Sequence, residues 1–401
     1  MNLDISDIER VLGFPLKESQ REVAEHVLHR TPRGTQLRLC LYHRTGEGKT
    51  IGSLAAAALA GAHEVLVLAP PITHPKWVEV GETLGVTVTA ISHAKFRQKP
   101  YKVRRDQAII VDEFHLLGGH TGAGWKKMDR LAAGLQAPLI ICSATPNYND
   151  AERVYCVMHV LAPDSVRGGY IQFLYSHCET TVNPFGSEPI VDGFRNGQSA
   201  EEFLAALPYV HYVEDEAIKQ VVIRDIPADH GEPPDSFDDY GLDRRAGRVL
   251  ASQMEERHRI KRYQMLNVDS EFRTKLFNQI CRLIELAETP VLIYCDSSEI
   301  AIALHQKFSQ SDRDARCITG TTSATLKHEI VHQFIRKEIN VLIGTATMAT
   351  GLDGVDKMCD VLLIVDDTDD DAKRRQLMGR ILPRGLDTDV SKKQVLRLVY
   401  S

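Results

Sequence analysis

The sequence lacks the long apolar runs, paired cysteines and signal patterns that mark several protein classes. No apolar segment in its 401 residues is long enough to span a bilayer, so no membrane partner is expected. Residues 1–10 lack the basic, apolar and small-residue order of a secretory signal, which predicts a cytoplasmic protein. The eight cysteines are scattered without a C-x-x-C pair, which favours reduced core thiols over disulfides or zinc ligands.

The chain also lacks the positive charge typical of proteins that coat nucleic acid. Its net charge is −6, although a local groove can be basic on an acidic protein. Basic clusters at 95–105 and 244–262 fit either such a groove or a solvated helix face. A length of 401 residues exceeds the range of one core, so two domains are expected.

The clearest feature that is present is a glycine-rich stretch, His-Arg-Thr-Gly-Glu-Gly-Lys-Thr at 43–50, between an apolar strand at 36–42 and a helix at 51–62. This order wraps a nucleotide phosphate chain, and a glycine-rich turn without that role is the alternative. Lys49 can reach the β- and γ-phosphates, and the Thr50 hydroxyl can hold Mg²⁺. The loop residues expected to bind the nucleotide are Thr45, Gly46, Glu47, Gly48, Lys49 and Thr50.

Apolar strands alternate with helices before and after a less regular middle segment. The pattern predicts two doubly wound α/β domains with parallel sheets, 1–162 and 269–401, whose ligands bind beyond the carboxyl ends of the strands. Residues 163–268, where the alternation is lost, are interpreted as a mainly helical or irregular insertion or linker. Strands are expected at 65–69, 83–91, 108–111, 138–142, 291–295, 315–318, 341–344, 360–365 and 395–400.

Two adjacent acids follow the strand at 108–111. We assign Asp112 to Mg²⁺, directly or through water, and Glu113 to activation of the attacking water. A solvated turn is the alternative, and the three β-branched residues before the acids disfavour it. Ser143, Ala144 and Thr145 follow the strand at 138–142, where small hydroxyl residues can bond to nearby acids and relay the nucleotide state.

The second half carries weaker signals. Arg380 and Arg384 lie on or just beyond a predicted helix at 373–380, where a guanidinium can lower the barrier to phosphoryl transfer. A solvated basic helix end is the alternative. Asp353 can accept a ribose hydroxyl or a partner arginine, but this signal alone favours an aspartate in a glycine turn. The acidic run 366–371 is interpreted as a solvated loop, because metal-site spacing is missing.

In this order the motifs resemble those of superfamily 2 helicases and translocases of the DExH type. The stretches that carry the resemblance are 45–50, Asp112-Glu113-Phe114-His115, Ser143-Ala144-Thr145-Pro146 and Gln376-x-x-Gly379-Arg380. Within the superfamily, the chain looks most like the Swi/Snf-type translocases and the compact phage helicases. The resemblance implies two RecA-like domains, ATP and Mg²⁺ as cofactors, and movement along nucleic acid driven by hydrolysis.

The resemblance also implies roles for residues that carry no signal alone. It places Gln20 at the adenine edge, and it implies that Trp77 and Val80 belong to a motif touching the nucleic-acid backbone. Residues implied to couple nucleotide state to movement are His115, Ser143, Ala144, Thr145 and Gln376. Residues implied to contact nucleic acid are Pro70, Pro71, Ser92, His93, Gly320, Thr321 and Thr345.

The chain departs from the family pattern at three places. His43 stands where phosphate loops usually have a small residue, although Swi/Snf-type members also lack glycine at this position. Phe114 replaces the alanine that is common in the family. Three residues, 381–383, separate Arg380 from Arg384, whereas the family usually has two residues between these arginines. Which of these two arginines is the arginine finger therefore stays open.

The sequence predicts an ATP-dependent helicase or translocase with single-stranded, duplex or forked DNA as its partner. DNA is favoured over RNA on the Swi/Snf-like features alone, so RNA is one alternative. A P-loop NTPase or kinase acting on a small molecule is another. A non-catalytic binding protein with a degenerate site is the third, and intact Lys49, Asp112 and Glu113 count against it.

Overall fold

The computed structural model divides the chain into two compact units, Met1–Asp215 and Glu216–Ser401. It describes residues 3–30, 36–43, 46–99, 103–104, 106–144, 151–183, 188–213, 220–228, 271–311, 313–349, 354–368, 371–382 and 390–399. Across these ranges, no helix combines the length and apolar character that crossing a membrane requires.

The first unit is built on a parallel sheet. Its strands are β1 (Arg38–His43), β2 (Glu64–Leu68), β3 (Thr87–Ile91), β4 (Ala108–Asp112), β5 (Leu139–Ser143) and β8 (Val210–Val213), and β6 (Cys178–Thr181) and β7 (Ile190–Phe194) form a separate antiparallel pair. The order in the main sheet is β3-β2-β4-β5-β1-β8. The central strands β4 and β5 are almost wholly buried, which explains why they read as continuous apolar runs.

Helices cover this sheet, and local sequence fixes several of their ends. They are α1 (Ile5–Leu12), α2 (Glu18–Arg30), α3 (Lys49–Leu59), α4 (His74–Thr83), α5 (His93–Gln98), α6 (Ala123–Gly134), α7 (Ala151–Leu161), α8 (Gly169–His177) and α9 (Ala200–Ala205). Asp4 caps the start of α1, and Gly13 ends it with a φ of 77°. Residues 52–58 of α3, all of them small except Leu54, are buried, so this helix packs closely on its neighbours.

The second unit repeats the architecture. Its strands are β9 (Ile223–Pro227), β10 (Val291–Cys295), β11 (Ala315–Ile318), β12 (Val341–Gly344), β13 (Val361–Asp366) and β14 (Gln394–Val399), and its helices are α10 (Glu271–Glu285), α11 (Ser298–Gln310), α12 (Ala324–Ile335) and α13 (Asp371–Met378). The parallel order is β11-β12-β10-β13-β14-β9. Alternate residues of β10 enter two hydrophobic clusters, Val291 and Ile293 on one face and Leu292 and Tyr294 on the other.

These two parallel-sheet α/β units confirm the predicted fold class, and β10, β11 and β12 have the predicted bounds. The sequence did not predict β8 and β9, which lie inside the range 163–268. β8 pairs with β1 in the first unit, and β9 pairs with β14 in the second. The basic cluster at 244–262 lies outside the described residues, and a separate region at 163–268 stays a prediction.

Candidate nucleotide site

The predicted site residues of the first unit lie at one edge of its sheet. The strands are parallel, so β1 runs into the glycine-rich loop on the same edge where β4 ends at Asp112 and β5 at Ser143. In the register of the sheet, Asp112 lies opposite Cys142, and Ser143 lies opposite Tyr42. The fold therefore brings the loop and the acid motif together where α/β sheets bind ligands.

The glycine-rich loop has the backbone conformation that its glycines allow. Gly46 and Gly48 have φ angles of 87° and 76°, in the left-handed region that side chains disfavour. α3 begins directly afterwards at Lys49, so the N–H groups of its first turn face the loop. The Lys49 ammonium donates to the carbonyl oxygen of His43 at 3.0 Å. Thr45 lies outside the described residues.

The first turn of α2 holds this loop through Gln20. Its side-chain Nε2 donates to the carbonyl oxygens of Gly48, at 3.1 Å, and Glu47, at 3.4 Å. Its Oε1 accepts from the backbone N–H of Lys17 at 3.0 Å. Gln20 is buried, and both ends of its amide bond to the protein. It therefore positions the loop, and its contact with adenine stays a prediction.

Sequence reasoning missed two further residues that hold the loop. Lys17 Nζ donates to the carbonyl oxygen of Gly46 at 2.9 Å, and Ser19 Oγ donates to Glu47 Oε1 at 2.9 Å. A single lysine or serine has no recognisable pattern. The available signal is spacing, because Lys17 lies three residues before Gln20 and so reaches the same side of the helix start.

The second residue of the acid pair, Glu113, is buried and has a strained backbone conformation. Glu113 has a φ of 50°, a conformation uncommon for a residue with a side chain, and it is 7% exposed. Its Oε2 lies 3.5 Å from His115 Nδ1 and is buried without a hydrogen-bond partner among the described residues. A carboxylate in this environment can orient and deprotonate a water molecule.

The donor set beside the loop fits Mg²⁺. The Asp112 carboxylate and the Thr50 hydroxyl supply hard oxygen ligands at the same sheet edge. Mg²⁺ needs only one or two protein ligands where phosphates and water complete its shell. When bound, the ion would neutralise charge on the β- and γ-phosphate oxygens.

His93 links the ends of two strands. It begins α5 directly after β3, and its Nε2 donates to the carbonyl oxygen of Asp112 at 2.8 Å. Burial lowers the pKa of His93 to about 4, so the ring is neutral at pH 7. Ser92 accepts from the N–H of Lys95 and caps the same helix. The predicted contacts of Ser92 and His93 with nucleic acid stay predictions.

The remaining predicted residues near this edge of the sheet differ in burial. Pro70 is buried and Pro71 is exposed, at the turn after β2. Trp77 and Val80 are buried and pack in the core, and the nucleic-acid contact of their motif stays a prediction. Ala144 follows β5, whereas Thr145 lies outside the described residues.

In the second unit, the predicted residues also follow strand ends. Gly320 and Thr321 are exposed after β11, and Thr345 is buried after β12. The Thr321 hydroxyl lies 3.0 Å from that of Thr319, which fixes the turn. Asp353 and Arg384 lie outside the described residues, so their roles stay predictions.

Arg380 lies in the turn after α13. It is 6% exposed, and Gln376 on the same helix is buried too. Its backbone N–H donates to the carbonyl oxygen of Leu377 at 2.9 Å. A solvated basic helix end would be exposed, so the burial of Arg380 argues against that alternative.

The interpretation of the acidic run 366–371 as a solvated loop is wrong for its first two residues. Asp366 is buried and accepts from the backbone N–H of Ser297 at 2.8 Å. Asp367 pairs with Arg374 and Arg397, each at 3.1 Å. These acids therefore stabilise the end of β13, because each has a specific donor.

Comparisons with known proteins agree with this architecture. Residues 275–384 match the helicase conserved C-terminal domain. A structure of S. cerevisiae Dbp5 bound to RNA and ADP BeF3 aligns with a TM-score of 0.58 and 13% identity, covering 99% of this chain and 87% of that one. A leucine-to-valine variant of Dbp5, also bound to RNA and ADP BeF3, aligns with a TM-score of 0.55 and 14% identity, covering 98% and 86%.

A third solved structure is the Sulfolobus solfataricus SWI2/SNF2 ATPase core in complex with dsDNA, with a TM-score of 0.40, 12% identity, and 96% and 88% coverage. The search of curated proteins gives no match. The two units have the RecA-like helicase fold, and the second unit contains a segment that matches the helicase C-terminal domain.

Proposed function

We propose that the protein is an ATP-dependent helicase or translocase that moves along DNA. The observation that carries the proposal is the combination of a phosphate loop in the first unit with a helicase C-terminal match in the second. A small-molecule NTPase needs no second unit of that kind. DExH membership and kinship with phage helicases belong to the same proposal.

ATP binds to the first unit in this proposal. Lys49 binds the β- and γ-phosphates, and Thr50 and Asp112 hold Mg²⁺. Glu113 accepts a proton from the water that attacks the γ-phosphorus, and the bond to the ADP oxygen breaks. Arg380 or Arg384 stabilises the charge that develops on the γ-phosphate oxygens.

DNA is proposed as the track from the Swi/Snf-like motifs of the sequence. The Dbp5 structures contain RNA, but at 13% and 14% sequence identity their similarity supports only the fold. RNA is therefore the second candidate. Contacts to the phosphate backbone should dominate binding of either nucleic acid, so a higher salt concentration should weaken this binding.

ATP hydrolysis with Mg²⁺ tests the proposal, measured alone and with single-stranded DNA, duplex DNA, forked DNA or RNA. Stimulation by a DNA supports the proposal and identifies its track. Stimulation by RNA alone contradicts DNA as substrate, and a rate unchanged by all four contradicts the motor itself.

Two variants show whether the measured hydrolysis arises at this site. Glu113→Gln should bind ATP without turnover, because the amide cannot accept the proton. Glu82→Gln, at an exposed position on α4, is the matched control and should hydrolyse ATP normally. Turnover by Glu113→Gln would remove Glu113 from its assigned role.

A further inference from the structure

Two histidines and a carboxylate form a connected chain across three elements of the first unit. His43 ends β1, His211 lies in β8 and Glu22 lies in α2. His43 Nε2 is 2.8 Å from His211 Nδ1, and His211 Nε2 is 3.2 Å from Glu22 Oε2. We call this set the histidine chain, and it begins at the residue that departs from the usual phosphate-loop pattern.

The chemistry of the partners fixes the direction of the two hydrogen bonds. The Glu22 carboxylate accepts the hydrogen bond, so His211 Nε2 carries the proton. Burial lowers the pKa of His211 below 6.5, so its Nδ1 is a bare acceptor and the proton between the rings belongs to His43 Nε2. The groups that face the rings are Glu22 from α2 and Lys49 from α3.

His43 is consequently fixed as one tautomer. Burial, with His211 and Lys49 nearby, lowers the pKa of His43 to about 2, so its ring stays neutral. With the proton on Nε2, its Nδ1 has a free lone pair, and this buried atom has no hydrogen-bond partner in the described part of the chain. A charged His211 would donate through Nδ1 and force His43 to move its proton to Nδ1.

The histidine chain contacts the nucleotide site through His43, and Glu22 shares the helix of Gln20. The carbonyl oxygen of His43 is the acceptor of the Lys49 ammonium, so a shift of His43 moves the anchor of that lysine. Glu22 lies two residues after Gln20, whose amide holds Gly48. The orientation of His211 therefore affects the phosphate loop through His43 and Lys49.

The middle residue of the histidine chain, His211, lies in β8. This strand is the last described element of the first unit, and the polypeptide enters the second unit at Glu216. β8 is paired with β1 along its whole length, from Val210 to Val213. A change in the phosphate loop can therefore reach β8 by this short route.

We propose that His211 is a positioning residue that orients His43, and through it the phosphate loop, and that couples the nucleotide state of this loop to β8. The proposal rests on the proposed ATPase function. The alternative is that the two rings only fill space between β1, β8 and α2. Substitutions that separate packing from hydrogen bonding distinguish these two roles.

The test compares His211→Phe with His211→Asn. Phenylalanine keeps a ring but removes both hydrogen bonds, whereas the Asn Oδ1 takes the place of Nδ1 and still accepts from His43. We expect His211→Phe to raise the KM for ATP and lower the nucleic-acid stimulation by about three- to tenfold, as expected for one buried hydrogen bond. His211→Asn should recover most of this loss.

Tyr212→Phe is the matched control on the same strand. It removes the hydrogen bond from the Tyr212 hydroxyl to Glu201 but keeps the ring that packs on Tyr42, so KM and stimulation should stay unchanged. Thermal unfolding of each variant shows whether it is folded at the assay temperature. Equal losses in Tyr212→Phe and His211→Phe, or none in a folded His211→Phe, would overturn the proposal.

The pH profile supplies a readout that packing alone would not change. As pH falls through the pKa of His211, the bond between the rings reverses, so the KM of the wild type for ATP should rise. His211→Asn has no such titration and should give a flatter profile, and identical profiles would count against the proposal. If the wild type hydrolyses no ATP, the proposed function fails, while binding of a fluorescent ATP analogue still tests the histidine chain.

Discussion

The side-chain amide of Gln20 donates to the carbonyl oxygen of Gly48 at 3.1 Å, and a β-carbon on Gly48 would overlap this amide nitrogen. Gly48→Ala should therefore abolish nucleotide binding. The φ of 76° costs an alanine about 1 kcal/mol, and the new methyl group displaces Gln20 from the loop. Titration with a fluorescent ATP analogue measures the loss.

Gly61→Ala separates backbone strain from this clash. Gly61 has a φ of 86° and open space around its missing β-carbon, so it has the same strain without the overlap. It should lose stability but bind nucleotide normally. Adding Gln20→Ala to Gly48→Ala should restore part of the binding, and no recovery would mean that the overlap is not the cause.

The buried ring of His93 makes the first unit sensitive to acid. Its pKa is lowered from 6.5 to about 4 in the folded protein. Between these two pH values the histidine is protonated in the unfolded chain but neutral in the folded one. This contribution to stability is complete above pH 6.5 and is lost as pH falls towards 4. The loss at pH 5 is about 2 kcal/mol.

His93→Asn should reduce the stability difference between pH 7 and pH 5 by that amount. Both tryptophans, Trp77 and Trp125, lie in the first unit, so their fluorescence during urea unfolding reports on this unit. The exposed His63 provides a control variant, His63→Asn. A pH difference as large in His93→Asn as in the wild type would contradict the assignment.

The cysteines should resist alkylation in the folded protein. Seven of the eight are buried, and Cys317 is half-buried. Burial raises the pKa of Cys40 to about 12 and that of Cys317 to about 11, and the thiolate is the reactive form. Mass spectrometry after iodoacetamide treatment at pH 8 should find Cys317 modified first and all eight only after unfolding. Early modification of Cys40 would show that β1 opens readily.

The sequence predicted the elements whose signals are local and continuous. β10 and β12 are apolar runs buried on both faces, so their bounds follow directly from the sequence. β8 gives no such signal, because His211 and Tyr212 interrupt a short, half-buried strand. Its partner β1 lies about 170 residues earlier, a separation visible in the His43–His211 contact.

The same distinction applies to the candidate site. Gly48 and Lys49 belong to one contiguous stretch whose spacing sets the loop. The bonds from Lys17 to Gly46 and from Ser19 to Glu47 join residues 29 and 28 positions apart. Asp366 was misread for a related reason, since its donor, Ser297, lies 69 residues away. Contacts of this kind arise from folding and have no local pattern.

The pairing of β8 with β1 has a consequence for dissecting the protein. The N–H of Cys40 donates to the carbonyl oxygen of Tyr209 at 2.8 Å, so residues just before and within β8 satisfy the outer side of β1. A fragment that stops at residue 162 would leave this side as an open edge strand, ready to pair with other copies. An ATP-binding fragment that stays monomeric should therefore extend to residue 213, and shorter ones should aggregate.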